Sequence, residues 1–105
     1  MTTQEANKIK RVLRKENAVF TSNAGYHDRN GELRVKVAQF IEASKYEGAK
    51  INKQTSDQKE KEARTNIIKV LRALEKNGLR PEYRLEQREV TDSLGTWDCR
   101  YIVFK

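Results

Sequence analysis

The strongest hydrophobic pattern in the chain lies between residues 55 and 79. Apolar side chains recur there at spacings of three and four residues, which place them on one face of a helix. The members of this stripe are Ala63, Ile67, Val70, Leu71 and Leu74. The pattern predicts a long amphipathic helix over about 57–77, and its apolar face requires a partner elsewhere in the chain.

Both ends of this segment carry helix boundary signals. Three competent N-caps stand at its start: Thr55, Ser56 and Asp57. Two of them are followed three residues later by glutamine or glutamate, which is the spacing of a capping box. Gly78 is expected to end the helix in the left-handed conformation, so that Leu79 can contact Leu74 in a Schellman ending.

A narrower apolar stripe predicts another helix over about 2–16. Its members are Ala6, Ile9, Val12 and Leu13. Thr2 and Glu5 have the spacing of a capping box at its start. Lys8, Arg11 and Lys15 share a neighbouring face, which makes this helix basic.

Alternation of apolar and polar residues predicts strands in the rest of the chain. Residues 32–41 alternate, although a helix from Val37 onward is an alternative. A strand opened by Arg80-Pro81 extends to about residue 90, and residues 96–104 are apolar on both faces, which favours a central strand. A short strand is expected around residues 19–21. Turns or linkers are expected at residues 23–25, 28–31, 46–54 and 91–95.

The two halves of the chain resemble each other, and this suggests a tandem duplication over about 2–45 and 55–105. Residues 9–14 align with 67–72, and residues 31–40 align with 95–104. The expected fold is α+β in the order αββαββ, built from two αββ units within a single domain. These units would form a four-stranded antiparallel sheet with both helices on one face.

Alternation along the strands assigns side chains to the two faces of this sheet. The face beneath the helices is expected to carry Leu33, Val35, Val37, Leu85, Trp97, Cys99, Tyr101 and Val103. The opposite face is expected to carry Arg34, Lys36, Phe40, Arg84, Arg88, Arg100 and Phe104, with Glu86 and Asp98 among them. An open face that mixes cations with aromatic rings suits nucleic acid, because it offers phosphate contacts and base stacking. Alternatively, Phe40 and Phe104 lie under a loop or a dimer partner.

Charge points to the same class of partner. The formal net charge is +7, from 22 basic and 15 acidic residues, which favours nucleic acid or an acidic protein; a merely soluble surface is the alternative. The first hypothesis is therefore a small nucleic-acid-binding module without catalytic activity. Its candidate contacts are Lys8, Arg11, Lys15, Arg34, Lys36, Phe40, Arg84, Arg88, Arg100 and Phe104. The second is a protein-binding inhibitor or adaptor of the phage or mobile-element type, whose basic face would engage an acidic or nucleic-acid-binding surface.

Sequence motifs give little support to a third hypothesis, an enzyme. The chain has no phosphate-binding glycine loop, no GxSxG and no zinc-ligand spacing, so no metal or cofactor is expected. His27 is interpreted as a solvated or capping side chain, and Cys99, the only cysteine, as a small buried hydrophobe. No apolar run reaches the roughly 20 residues of a membrane span, and the N-terminus has no apolar stretch of signal-peptide length, so a cytoplasmic protein is expected. The positive charge would also suit an anionic membrane, with the helix over 2–16 lying on it, but the apolar face of this helix lacks large aromatic anchors, so no membrane contact is expected. A homodimer is a further possibility.

Overall fold

The structure, a computed structural model, describes residues 1–46 and 53–105. Its elements are α1 (Thr3–Lys15), β1 (Tyr26–His27), β2 (Leu33–Ser44), α2 (Ser56–Lys76), β3 (Tyr83–Thr91) and β4 (Gly95–Phe104). The strands form one antiparallel sheet in the order β1-β2-β4-β3. This confirms an α+β protein with the predicted order of elements.

Both helices begin in a capping box. The Thr2 hydroxyl accepts a hydrogen bond from the Glu5 backbone N–H at 3.1 Å. At α2, the Thr55 hydroxyl accepts from the Gln58 N–H at 3.2 Å, while the Thr55 N–H donates to the Gln58 side chain at 2.8 Å. Each pair satisfies backbone N–H groups that have no partner inside the helix. Thr55 is therefore the N-cap among the three candidates.

Both helices also end in the same way. Gly78 has a φ of +76°, and the Leu79 N–H donates to the Leu74 carbonyl oxygen at 2.9 Å, which is the predicted Schellman ending. After α1, Asn17 has a φ of +54° and the Ala18 N–H donates to the Leu13 carbonyl oxygen at 2.8 Å. Asparagine tolerates this conformation better than most residues other than glycine.

The main core joins side chains of α1 and α2 to side chains of β2 and β4. Its buried members are Ala6, Ile9, Leu13, Ala18, Ala24, Leu33, Val35, Val37, Val70, Ala73, Leu74, Ile102 and Phe104. Ile67 and Leu71 are partly buried at its margin. The predicted stripes of both helices thus contact the core, and Ala73 is a buried position that the stripe of α2 did not include.

A β-bulge in β2 changes which side chains face α2. The pairing of β2 with β4 shifts by one residue between Lys36 and Ala38, so Val37 is the inserted residue. Val37 and Ala38 are consequently both buried, and the alternation of faces reverses beyond them. Phe40 therefore packs against Ala63 of α2. Its predicted place on the opposite face was wrong, because simple alternation does not allow for an inserted residue.

The faces of β4 are the reverse of the prediction. Phe104 pairs with Leu33 and Ile102 pairs with Val35, so these apolar residues share the face that contains the core. The Arg100 side chain points to the same face of the sheet as the Ile102 side chain. The residues expected beneath the helices lie on the other face instead: Trp97, Cys99, Tyr101 and Val103. Because β4 is apolar on both faces, its pattern did not distinguish them.

One local prediction also fails. Residues 19–21, expected as a strand, are irregular with a bend at 20–21, and only Tyr26–His27 pairs with β2. The strand predicted over 32–41 is confirmed, and because β2 continues to Ser44, the alternative helix from Val37 onward does not form. Most of the expected linker at 46–54 lies outside the described residues. In the described ranges, neither helix is long and apolar enough to cross a membrane.

Candidate nucleic-acid interface

The sheet face opposite the core, here called the outer face, carries Arg34, Lys36, Arg84 and Arg88 together with Tyr101. This part of the predicted arrangement agrees with the strand register. The Arg34 guanidinium and the Lys36 ammonium each lie 5.9 Å from the centre of the Tyr101 ring, within the range of a cation–π contact. Cations and an aromatic ring therefore do meet on this face.

The arginines of the outer face are held by carboxylates. Arg34 Nη2 donates to Glu86 Oε2 at 3.1 Å, and Arg88 also pairs with Glu86. Arg84 forms a two-pronged pair with Glu32, in which Nη2 donates to Oε1 at 3.1 Å. With Asp28 lying 3.8 Å from Arg34, three carboxylates oppose the four cations of this face. The outer face is therefore close to neutral.

These carboxylates are stabilised in the charged form. Burial alone would raise the pKa of Glu86, but the hydrogen bond and charge of Arg34, and then those of Arg88, bring it below its ordinary value. The hydrogen bond from Arg84 likewise lowers the pKa of Glu32. Charged carboxylates therefore already occupy the guanidinium groups that a phosphate would contact on this face.

Arg100 takes part in a separate ionic cluster beneath α2. Its Nε and Nη2 donate to the two carboxylate oxygens of Asp98 at 2.8 and 3.0 Å, and its Nη1 donates to Glu60 at 2.8 Å. The guanidinium also lies 5.8 Å from the centre of the Phe40 ring. Lys59 pairs with Glu42, and its Nζ lies 3.7 Å from Asp98 Oδ2. Arg100 joins α2 to the sheet, and its predicted place on the face opposite the helices was wrong.

The two phenylalanines predicted to stack on bases are both buried. Phe104 has no exposed surface and meets the edge of the Tyr83 ring, with the ring centres 6.2 Å apart. Phe40 is 4% exposed between the Lys59 and Arg100 side chains. A stacking residue must expose one ring face, so neither of them can stack on a base in this fold.

The helices carry most of the excess positive charge. Residues 3–15 contain five basic residues and one acidic residue, and residues 56–76 contain six basic and four acidic residues, which together give +6 of the net +7. The predicted contacts Lys8, Arg11 and Lys15 are exposed on α1. Within the part of the chain that the structure describes, these three form no salt bridge.

A basic cleft of about 610 Å³ lies between the end of α1 and the side of α2. Its wall includes Ile68, Lys69 and Arg72. The two cations have no carboxylate partner among the described residues, and the Ile68 side chain is 40% exposed. Lys76 also lines the cleft but pairs with Glu16 at 3.2 Å. The sequence predictions did not include this cleft. The spacing of Thr65, Ile68, Lys69, Arg72 and Lys76 on one helical face was the signal that could have found it.

An exposed aromatic ring lies beside this cleft. The segment from Ala18 to Phe20 runs along α2, because Ala18 lines the basic cleft and Phe20 shares a smaller hollow with Lys69. The Phe20 side chain is 48% exposed. Phe20 was predicted to lie in a strand and was not among the candidate contacts. Its position outside the core makes it the aromatic residue best placed to contact a ligand at the cleft.

The residues considered for catalysis are apart from this surface. His27 Nε2 lies 3.2 Å from the Met1 carbonyl oxygen, and Cys99 is buried, as predicted. Among the described residues, no three side chains of histidine, cysteine, aspartate or glutamate come together as metal ligands would. Comparisons with protein-family models, with curated proteins and with solved structures find no match to this chain.

Proposed function

We propose that this chain is a small, non-catalytic nucleic-acid-binding module whose contact surface is formed by the helices. This helical surface comprises Lys8, Arg11 and Lys15 of α1, Lys69 and Arg72 of α2, and the adjacent Phe20. The observation that carries the proposal is the distribution of ion pairs. The five cations of this surface have no carboxylate partners among the described residues, whereas the arginines of the sheet do. Free cations can release the counterions of a phosphate backbone, and neutralised ones cannot.

The arrangement of the helices also supports this surface. We infer that α1 and α2 cover the same face of the sheet, because one core cluster contains residues of both helices. Their polar sides would then form one continuous layer. The tandem duplication stays a prediction: both helices have the same kinds of cap, but Val35 faces the core whereas Cys99, its counterpart in the proposed repeat, lies on the outer face.

The expected ligand is a single strand bound with little sequence preference. Phe20 can stack on an unpaired base beside the Lys69 side chain, and stacking tolerates every base because each has a π-face. The helical surface otherwise offers lysine and arginine, which contact phosphates in any sequence. Binding should therefore weaken strongly with salt and should be tighter for single-stranded than for duplex oligonucleotides.

A pair of matched charge reversals tests the location of the surface. Lys69→Glu with Arg72→Glu should weaken binding strongly, while Arg84→Glu with Arg88→Glu should leave most of it. Each double variant lowers the net charge by the same amount, so a general loss of charge affects both equally. Loss of two phosphate contacts should reduce the slope of log affinity against log salt by about 1.4 for a single strand. Circular dichroism should show that both variants are folded.

Two results would contradict the proposal. If the sheet pair abolishes binding and the helical pair does not, the outer face is the contact surface. If the unmodified protein binds no oligonucleotide at about 50 mM salt, where phosphate contacts are strong, it is not a nucleic-acid-binding module.

The second candidate function is a protein-binding inhibitor or adaptor. Ile68 favours it, because an exposed isoleucine between cations suits the rim of a protein interface better than a phosphate site. In that case an acidic protein would copurify in a stoichiometric amount, and Ile68→Ser would release it. If the same amount of the acidic protein copurified with the Ile68→Ser variant, that protein would bind at a site that does not include Ile68.

A further inference from the structure

Strand β3 is a long edge strand with regular pairing on one side. It pairs with β4 over nine consecutive residues without a bulge, and it stands at the end of the sheet order. The opposite edge is formed by β1, which has only two residues. Proteins commonly protect an edge by shortening it, bulging it or placing proline within it. β1 is protected by its shortness. β3 is neither short nor bulged, and Pro81 precedes it, so its charged side chains are its only protection.

The backbone groups that point away from the sheet can be identified from the ends of β3. The Lys105 N–H donates to the Glu82 carbonyl oxygen at one end, and the Asp92 N–H donates to the Gly95 carbonyl oxygen at the other. Even-numbered residues of β3 therefore point their backbone groups toward β4, and odd-numbered residues point theirs to the free edge. Five residues share this outward direction: Tyr83, Leu85, Gln87, Glu89 and Thr91. None of them is proline, so each can both donate and accept a hydrogen bond.

The charged side chains of β3 would face opposite charges if two copies of the strand paired about a twofold axis. Such an axis, perpendicular to the sheet through Gln87, places Glu86 of each copy opposite Arg88 of the other on the outer face. An axis through Glu86 would instead oppose Glu86 to itself and Arg84 to Arg88. Opposite charges at facing positions stabilise a strand pair, and like charges destabilise it.

Backbone pairing selects the same register. An axis through Leu85 would also place unlike charges opposite each other. It would, however, leave the end of β3 unpaired, and it would bring Pro81, which has no N–H, to a hydrogen-bonding position. With the axis through Gln87, all five outward-facing residues find partners in the second copy, with two hydrogen bonds in each pair. Leu85, which is 57% exposed, then lies between strands rather than at an edge.

We propose that the protein forms a homodimer through antiparallel pairing of β3 with β3 of a second copy, with the twofold axis at Gln87. The product is a continuous eight-stranded sheet. Because the axis is perpendicular to the sheet, both outer faces lie on one side and the helices of both copies lie on the other. This dimer uses none of the residues of the helical surface, so it is independent of the nucleic-acid proposal.

The charge pairing can be tested by reversal and exchange. In the proposed dimer, residue 86 of each copy faces residue 88 of the other. Arg88→Glu therefore places two glutamates at each of these two pairs, and Glu86→Arg places two arginines there. Sedimentation equilibrium over about 1–100 µM, with nucleic acid removed, should show a dimer for the unmodified protein and dissociation constants raised on the order of tenfold or more for each variant. An equimolar mixture of the two variants should form a heterodimer, because both cross-strand pairs are then restored.

A backbone variant provides an independent test. Gln87→Pro removes an outward-facing N–H, which an edge strand tolerates, and should give a folded monomer. A monomeric unmodified protein at about 100 µM, or a dimer whose strength none of the three variants reduces, would overturn the proposal. If one variant fails to fold, the dissociation constants of the other two decide the question. Oligonucleotide binding by the helical surface can fail without changing any of these results.

Discussion

Asp98→Asn should destabilise the protein substantially at neutral pH. Asp98 is 7% exposed and accepts two hydrogen bonds from the Arg100 guanidinium, with Lys59 at 3.7 Å. The substitution keeps the shape of the side chain but removes its charge and presents an NH₂ group to one of the donors. Arg100 would then be largely buried with only Glu60 as a partner.

The expected loss follows from the interactions removed. A hydrogen bond to a charged group contributes about 1.5–3 kcal/mol, and the remaining Glu60 contact keeps the loss within that range. For a domain of this size, a loss of about 2 kcal/mol lowers Tm on the order of 10 °C. Urea unfolding followed by circular dichroism measures the difference. Glu75→Gln is the matched control, because its pair with Arg80 is exposed and should contribute less than about 1 kcal/mol.

The pH dependence tests whether charge is the cause. The hydrogen bonds from Arg100 lower the pKa of Asp98, so folding favours its ionised form. A lowered pKa in the folded state contributes stability above the unfolded value of about 3.9, and this contribution is lost as the pH falls through the folded pKa. The difference between the unmodified protein and Asp98→Asn should therefore shrink below about pH 4. A difference that is equally large in acid would mean that packing is responsible, and a difference under about 0.5 kcal/mol at pH 7 would mean that the pair is solvated.

Four further substitutions test the fold, each by urea unfolding at pH 7. Gly78→Ala should cost about 1 kcal/mol from its φ of +76° alone, since no neighbour lies within 4 Å of an added Cβ; a gain in stability would contradict the helix ending. Gly95→Ala should cost more, because its Cβ would overlap the Ala43 carbonyl oxygen; equal losses at the two glycines would contradict this packing. Leu74→Ala should cost about 2–5 kcal/mol and Leu71→Ala less, since only Leu74 is fully buried; the reverse order would place the wrong face of α2 in the core.

The helices could be predicted from the sequence because their determinants are local. A capping box and a Schellman ending each depend on residues within one or two turns, so Gly78 marked the end of α2 directly and Thr55 was one of three adjacent candidates for its start. The apolar stripe then identified the buried face. Even here, the stripe did not include Ala73, because a small residue beside larger ones adds little to a hydrophobic pattern.

The faces of the sheet could not be predicted in the same way. The extra residue in β2 falls at Val37-Ala38, and two adjacent apolar residues give no sign of a bulge. In β4 both faces are apolar, so its orientation depends on its register with β2. Residues far apart in sequence also decide which cations are neutralised. Arg34 and Glu86 are separated by 52 residues, as are Arg84 and Glu32, and no local pattern joins them.

The bulge at Val37 links the position of Phe40 to the surface proposed for binding. Without the inserted residue, Phe40 would share the outer face with Arg34. With it, the ring lies beneath α2, where Lys59 and Arg100 approach it to 5.9 and 5.8 Å. The cations and the aromatic ring of this part of the sheet thus stabilise the contact between sheet and helix. Among the described residues, the five cations of the helical surface have no carboxylate partner. Stability and binding should consequently be separable. Charge reversal at Lys69 and Arg72 should change affinity with little effect on Tm, and Asp98→Asn should lower Tm without changing the salt dependence of binding.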